Sequence, residues 1–95
     1  MPKTTTLARN TAEHLAGLVE RVTFHNPDSG YCVLRVKVRG QRDLVTVLGA
    51  AAAISAGEFV QATGSWVNDR THGLQFKAAF VRVARLYTVK VELTP

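Results

Sequence analysis

The sequence has little of several features that define common protein classes. Cys32 is the one cysteine among 95 residues, which excludes an internal disulfide framework and a cysteine-rich zinc module. No apolar run reaches the length of about 18 residues that a membrane-spanning helix needs. Residues 1–16 are polar and lack the apolar core of a secretory signal. We therefore expect no membrane contact and a reducing, cytoplasmic setting.

Acidic residues are also few. The chain has seven Asp and Glu against twelve Lys and Arg, so its formal net charge is +5. Eight of the twelve cations are arginine, whose planar guanidinium group matches the geometry of a phosphate. A small basic domain of this kind has nucleic acid as a reasonable partner. The same charge is equally compatible with a basic surface that only keeps the domain soluble.

Patterns that carry catalysis are missing as well. The sequence contains no GxxxxGK[ST] phosphate-binding loop, and no two carboxylates are spaced so that both would enter one cleft. The three histidines and Cys32 follow no recurrent zinc-ligand spacing. We therefore expect no catalytic residue, no metal and no cofactor in this chain. An enzyme that acts alone is the least favoured class of function.

The residues that are present form five segments typical of short β-strands. The clearest covers 31–39, where alternation predicts a buried face of Cys32, Leu34, Val36 and Val38 and an exposed face of Tyr31, Val33, Arg35, Lys37 and Arg39. The other strands are predicted from 17 to a turn at 25–30, and over 44–48, 59–67 and 74–83. In the first strand Leu18, Val22 and Phe24 are expected to face the core. In the fifth strand the expected core residues are Leu74, Phe76 and Ala78.

The order of these segments predicts an all-β, five-stranded OB-fold barrel. The alanine-rich piece at 50–56 is predicted to be a short helical connection between strands three and four, with a compact connection as the alternative. Gly64 inside strand four predicts a bulge or a sharp bend. A partly closed barrel protects most strand edges, whereas a five-strand sandwich fragment would leave long edges unpaired. The predicted division is a tail at 1–16, the barrel at 17–84 and an extension at 85–95.

The exposed face of strand two is the candidate binding site. Alternate residues along a strand are about 6.6–7 Å apart, so one tyrosine and several cations would form a ridge. Aromatic rings stack on bases and cations follow phosphates, and OB-folds bind ligands on strands two and three. The predicted DNA-contacting residues are Tyr31, Arg35, Lys37, Arg39, Arg42 in the following turn and Arg70 in the loop before strand five. A solvated ridge is the alternative. Because a stacking platform reads no base edges, we expect little base preference.

Several runs of the sequence resemble a known family. Residues 17–49 and 57–78 are similar to the N-terminal OB domain of the RecD-like ATP-dependent DNA helicases, which are relatives of the exodeoxyribonuclease V alpha subunit. The pieces that carry the resemblance are Thr23-Phe24-His25-Asn26, Gly30-Tyr31-Cys32-Val33-Leu34, and Trp66-Val67-Asn68-Asp69-Arg70 leading to His72-Gly73-Leu74-Gln75-Phe76. The resemblance implies a 5′→3′ helicase of superfamily 1 that acts in DNA repair or recombination, with ATP and magnesium in its motor.

The resemblance ends near Phe80, where family members would be expected to continue into a proline-containing linker and helices. The family's ATPase and helicase activities therefore cannot be assigned to any residue of this sequence. Two functions stay open. The first is a module that binds single-stranded DNA. The second is a protein-interaction or packing module that braces the helicase motor or another replication or repair protein, without direct DNA contact.

Overall fold

Five β-strands make up the described part of the chain, which is residues 12–84 of a computed structural model. They are β1 (Glu13–His25), β2 (Tyr31–Lys37), β3 (Val45–Ala50), β4 (Phe59–Asp69) and β5 (Gly73–Ala84). They form a closed barrel in the order β1-β2-β3-β5-β4. All neighbouring pairs are antiparallel except β3 and β5, which are parallel. The predicted all-β barrel is confirmed, and its strand order fits the OB-fold.

The ends of the barrel differ from the sequence-based boundaries in one respect. β1 begins at Glu13, so the first strand includes residues 13–16, which were predicted to belong to the N-terminal tail. Residues 1–11 and the predicted extension at 85–95 lie outside the described residues.

The connection between β3 and β4 is not helical, and the predicted short helix is wrong. Residues 51–58 form only turns, bends and extended backbone. The Ala51 N–H donates to the Gly30 carbonyl oxygen at 2.8 Å, and the Ala51 carbonyl oxygen accepts from His25 Nε2 at 2.8 Å. His25 of the β1–β2 hairpin therefore occupies the Ala51 carbonyl oxygen, which would accept an intrahelical hydrogen bond in a helix over 50–56. A helix of one or two turns is also costly to nucleate.

The core is filled by the inward faces of all five strands. Its fully buried members are Leu15, Val19, Cys32, Leu34, Val36, Val45, Val47, Val60, Ala62 and Phe76. The alternation predicted for β2 is confirmed, because Cys32, Leu34 and Val36 are all 0% exposed. Burial raises the pKa of the Cys32 thiol, so the neutral form of this side chain is favoured in the core.

Two bulges in β1 change which of its side chains face the core. The pairing with β2 shifts between Val19 and Arg21 and again between Val22 and Phe24. Each extra residue reverses the inside-outside alternation that follows it. Leu18 precedes both bulges and is 39% exposed, since the buried residues of this part of β1 are odd-numbered Leu15 and Val19. After the first bulge Val22 packs against the core, and after the second Phe24 is 50% exposed. The prediction that Leu18 and Phe24 are core residues is wrong.

A third irregularity lies between β4 and β5. The register shifts between Thr63 and Gly64, and the extra residue is Ala79 of β5. The bulge or bend predicted at Gly64 therefore occurs at this position, but the extra residue belongs to the opposite strand. A Cβ atom at Gly64 would lie 2.0 Å from the Lys77 carbonyl oxygen, so this approach of the two strands requires glycine. In β5, Phe76 is buried as predicted, but Leu74 is 59% exposed. Leu74 pairs with Asn68 near the tip of the β4–β5 hairpin, beyond the segment that pairs with β3.

Candidate nucleic-acid interface

The outward sides of β2, β3 and β5 form one surface, which we call the β2–β3–β5 face. Backbone pairing aligns its side chains in rows across the three strands. One row is polar and consists of Arg35, Thr46 and Gln75. The next row consists of Val33, Leu48 and Lys77, and beyond it Tyr31 pairs with Ala50. The face therefore combines apolar side chains, hydrogen-bonding groups and cations within a few strand positions.

A groove of about 470 Å³ opens on this face. Its lining consists of Thr23, Tyr31, Val33, Arg35, Thr46, Leu48, His72 and Gln75. A smaller pocket of about 270 Å³ shares Tyr31 and Leu48 with the groove and adds Lys77. Binding sites for small organic groups typically enclose roughly 300–1,000 Å³. The groove is therefore large enough to receive part of a nucleotide chain.

Two aromatic rings stand together at the Tyr31 end of the groove. The ring centroids of Phe24 and Tyr31 are 6.0 Å apart and their planes are inclined by 52°. Tyr31 is 44% exposed, and Phe24 is 50% exposed because the second bulge of β1 turns it outward. Tyr31 was predicted from the sequence, but Phe24 was missed. An exposed aromatic ring can stack on any base.

Arg35 is the predicted cation that lies within the groove. Its Nη1 donates to Thr46 Oγ1 at 2.8 Å, in a half-buried position. The guanidinium group has five N–H donors in a planar fork, so this bond fixes the group while other donors stay available. Thr46 is a groove residue that the sequence pattern did not indicate.

The other predicted cations lie outside the groove lining. Lys37 is exposed at the end of β2, and Arg39 and Arg42 are exposed in the turn that follows it. Arg70 is exposed in the loop between β4 and β5. The residue of that loop that lines the groove is His72. The structure thus unites Tyr31 and Arg35 in one groove, and the remaining four predicted residues do not line it.

Asp69 organises the loop that carries His72. Its Oδ2 accepts hydrogen bonds from the His72 backbone N–H at 2.7 Å and from the Thr71 N–H at 3.1 Å. The Nδ1 atom of His72 lies 2.7 Å from the same oxygen. The bond from the His72 backbone is the main reason that the pKa of the Asp69 carboxyl group is lowered. These contacts fix the conformation of the turn that carries His72.

Lys77 is the main cation of the site that the sequence did not single out. Gln75 and Lys77 were both predicted to point outward from strand five, so the local pattern contained them. Their neighbours could not be read from it, because β5 reaches β3 through a parallel pairing of residues far apart in sequence. That pairing places Gln75 beside Thr46 and Lys77 beside Leu48.

The outward side of β1, β4 and β5 forms a second surface, which we call the β1–β4–β5 face. Three paired rows cross it: His14, Thr63 and Phe80, then Ala16, Gln61 and Arg82, then Leu18, Phe59 and Ala84. Arg82 is the one arginine or lysine in these rows, and its Nη2 donates to Gln61 Oε1 at 2.8 Å. Phe80 is 58% exposed. This face is therefore largely uncharged and partly apolar.

Two further observations concern cofactors and membranes. Within residues 12–84, no three His, Cys, Asp or Glu side chains come together as a possible metal site. The same stretch of chain contains no helix with the length and apolar character to cross a membrane.

Comparison with known proteins agrees with the barrel topology. Residues 12–85 match the family described as "ATP-dependent DNA helicase YrrC, OB-fold domain". No curated protein matches the chain at a significant level. The family match begins one residue before β1 and ends one residue after β5, and it agrees with the RecD-like resemblance of the sequence. The chain therefore belongs to the family of OB-fold domains of the RecD-like, ATP-dependent DNA helicase YrrC.

Proposed function

We propose that this domain contacts single-stranded DNA through the β2–β3–β5 face. It would act as a module of a RecD-like 5′→3′ helicase in DNA repair or recombination. The observation that carries the proposal is that exposed Tyr31 and Arg35 line one open groove, while Lys77 lines the smaller pocket that shares Tyr31 and Leu48 with it. Aromatic rings give a strand stacking surfaces without base preference, and cations neutralise its phosphates. The net charge of +5 adds attraction at longer range.

The cations around the groove have a supporting role in this proposal. Lys37, Arg39, Arg42 and Arg70 are solvent-exposed and can follow the backbone of a strand as it leaves the groove. The expected partners are single-stranded DNA and either the helicase motor or another replication or repair protein, in the cytoplasm. We expect the domain to use no cofactor of its own, since ATP and magnesium belong to the motor of a helicase.

The test compares two cations of β5 on opposite faces. Lys77→Ala and Arg82→Ala remove the same charge, but only Lys77 lies beside the groove. Labelled single-stranded DNA is titrated at two salt concentrations by fluorescence anisotropy. We expect Lys77→Ala to weaken binding and to reduce the salt slope by about 0.7 for each phosphate that the variant no longer neutralises, with a much smaller change for Arg82→Ala. Equal effects of both variants, or no binding by the parent chain at low salt, would contradict the proposal.

A second candidate function is favoured by the β1–β4–β5 face. Its exposed Phe80 and Leu18 and its single arginine suit a packed protein contact better than a nucleic acid. On this alternative the domain braces the motor of a helicase and makes no contact with DNA. Calorimetry with the purified motor domains of a RecD-like helicase tests it. Phe80→Glu should abolish the heat of binding while Lys77→Ala leaves it unchanged, and the reverse result would refute this alternative.

A further inference from the structure

We propose that the polar row Arg35, Thr46 and Gln75 reads the edge of one base and gives the domain a preference for guanine in single-stranded DNA. This inference rests on the proposed function, because it concerns the same groove. It differs from the expectation of little base preference, which treated Arg35 as a free surface cation. The hydrogen bond from Arg35 Nη1 to Thr46 Oγ1 at 2.8 Å is the observation that changes the expectation.

Arg35 is anchored rather than free. A free arginine on a surface follows phosphates and carries no sequence information. Here one guanidinium nitrogen donates to Thr46, which lies directly opposite on β3, and Arg35 is half-buried, so the group is restrained. Its remaining N–H donors therefore point in set directions. A fixed planar fork recognises a pair of acceptors better than a single charge does.

The polar row lies next to the apolar row, at a distance that suits a base. Alternate residues on a strand are about 6.6–7 Å apart, so Tyr31, Val33 and Arg35 follow one another at that spacing along β2. A base that lies on Val33 and Leu48, beside the Tyr31 ring, would bring one edge to the row of Arg35 and Gln75. In single strands the Watson–Crick and Hoogsteen edges are both accessible.

The donors of Arg35 determine which base is preferred. Arginine has donors and no acceptor, so it pairs best with an edge that offers two acceptors. The Hoogsteen edge of guanine offers N7 and O6, whereas the same edge of adenine offers one acceptor and one donor. Gln75 carries both a donor and an acceptor and by itself would suit adenine. Because Arg35 is charged and anchored, we assign the dominant contact to it and the preference to guanine.

The experiment uses the full chain and short labelled oligothymidylates with one central dG, dA, dC or 7-deazaguanine. We expect the dG strand to bind about fivefold tighter or more than the dA and dC strands, the lower end of what a bidentate pair contributes. The 7-deazaguanine strand has the same O6 but lacks the N7 acceptor, so most of this gain should disappear. That control separates edge recognition from the stronger stacking of a purine.

Two variants locate the preference. Arg35→Lys retains the charge and removes the fork, and Thr46→Val retains the side-chain shape and removes the anchor. Both should abolish the dG preference with an unchanged salt slope, whereas Arg82→Lys on the opposite face should leave the preference as it is. Equal binding of all strands, with binding still dependent on Tyr31, would overturn this inference but not the proposed function. A dA preference would overturn it in favour of Gln75, and no binding to any strand would overturn both.

Discussion

The two faces of this barrel share a strand and differ in chemistry. β5 contributes Gln75 and Lys77 to the β2–β3–β5 face, and Phe80 and Arg82 to the β1–β4–β5 face. The first face has a groove with aromatic, polar and cationic groups. The second has a pocket of similar volume, about 450 Å³, lined by His14, Gln61 and Arg82 among others. It differs in having exposed apolar residues and one arginine that is already bonded to Gln61. Within residues 12–84, the rows of the first face contain two cations, Arg35 and Lys77, and those of the second contain one, Arg82.

The bulge between β4 and β5 determines which residues of β5 point outward on the second face. Thr63 pairs with Phe80 and Gly64 pairs with Ala78, so Ala79 has no partner on β4. On β5, the outward residues before Ala79 are odd-numbered, such as Gln75 and Lys77, and those after it are even-numbered, such as Phe80 and Arg82. One extra residue therefore turns Phe80 and Arg82 outward. The two surfaces themselves arise because β3 pairs with residues 75–77 of β5, whereas residues 80–84 pair with the part of β4 that lies beside β1.

The largest expected effect is on the core that supports both faces. Phe76 is 0% exposed and meets Trp66 edge to face, with ring centroids 5.2 Å apart. Phe76→Ala should lower the free energy of unfolding by about 3–5 kcal/mol, measured by denaturant titration. Phe80→Ala, on the same strand but exposed, should change it by less than about 0.5 kcal/mol. Similar reductions for both variants would contradict the assigned orientation of β5.

The next effect tests the bulge itself. Gly64→Ala would place a Cβ atom 2.0 Å from the Lys77 carbonyl oxygen, so the strands must separate. We expect the free energy of unfolding to fall by about 3 kcal/mol, the upper part of the usual overpacking range. Gly73→Ala is the control, because it has open space but a φ of +79°. It should cost only about 1–2 kcal/mol. A Gly64→Ala variant as stable as the parent would show that the bulge is not required.

A smaller expected effect is on the affinity for single-stranded DNA, and it distinguishes the two faces. Tyr31→Ala should weaken single-stranded DNA binding by about 1–3 kcal/mol, the contribution of one stacked base. Phe24→Ala should weaken binding as well, since its ring lies against Tyr31. Phe80→Ala removes an equally exposed ring from the other face and should leave the affinity unchanged. Anisotropy titrations measure all three, and weaker binding by Phe80→Ala alone would reverse the assignment of the faces.

The smallest expected effect is on the pH dependence of stability, and it concerns Cys32 on the core side of β2. Its pKa is raised by burial above the ordinary value of 9.0, so the unfolded chain releases this proton at lower pH than the folded chain. Stability should therefore fall as pH rises through the unfolded pKa, by at most about 1.4 kcal/mol per pH unit. The same burial should make labelling of Cys32 by a thiol reagent slow in the native state. Cys32→Ala should lack this alkaline decline, and an identical pH profile in both proteins would contradict the burial of the thiol as its cause.

The site was predictable in part, and particular residues show why. Tyr31 and Arg35 were found because β2 alternates without interruption, so sequence spacing alone places both on one face. Phe24 was missed because a bulge reversed its side, and Thr46 was missed because its role depends on the neighbouring strand. The predicted helical connection was wrong because a high alanine content indicates only a local preference for helix, and contacts with other strands can override that preference. The hydrogen bonds of Ala51 to Gly30 and His25 come from elsewhere in the barrel.

The sequence by itself determined the number of strands, the buried side of β2, the bulge at Gly64 and the excess of positive charge. These depend on the two-residue period of a strand, on turn residues and on composition, all of which are local. Only the tertiary structure decided the registers after the β1 bulges, the parallel pairing of β3 with β5 and the resulting groove. Each depends on which backbone groups pair across the barrel. A shift of one residue in that pairing exchanges the inward and outward sides of a strand. The local sequence pattern does not determine this register.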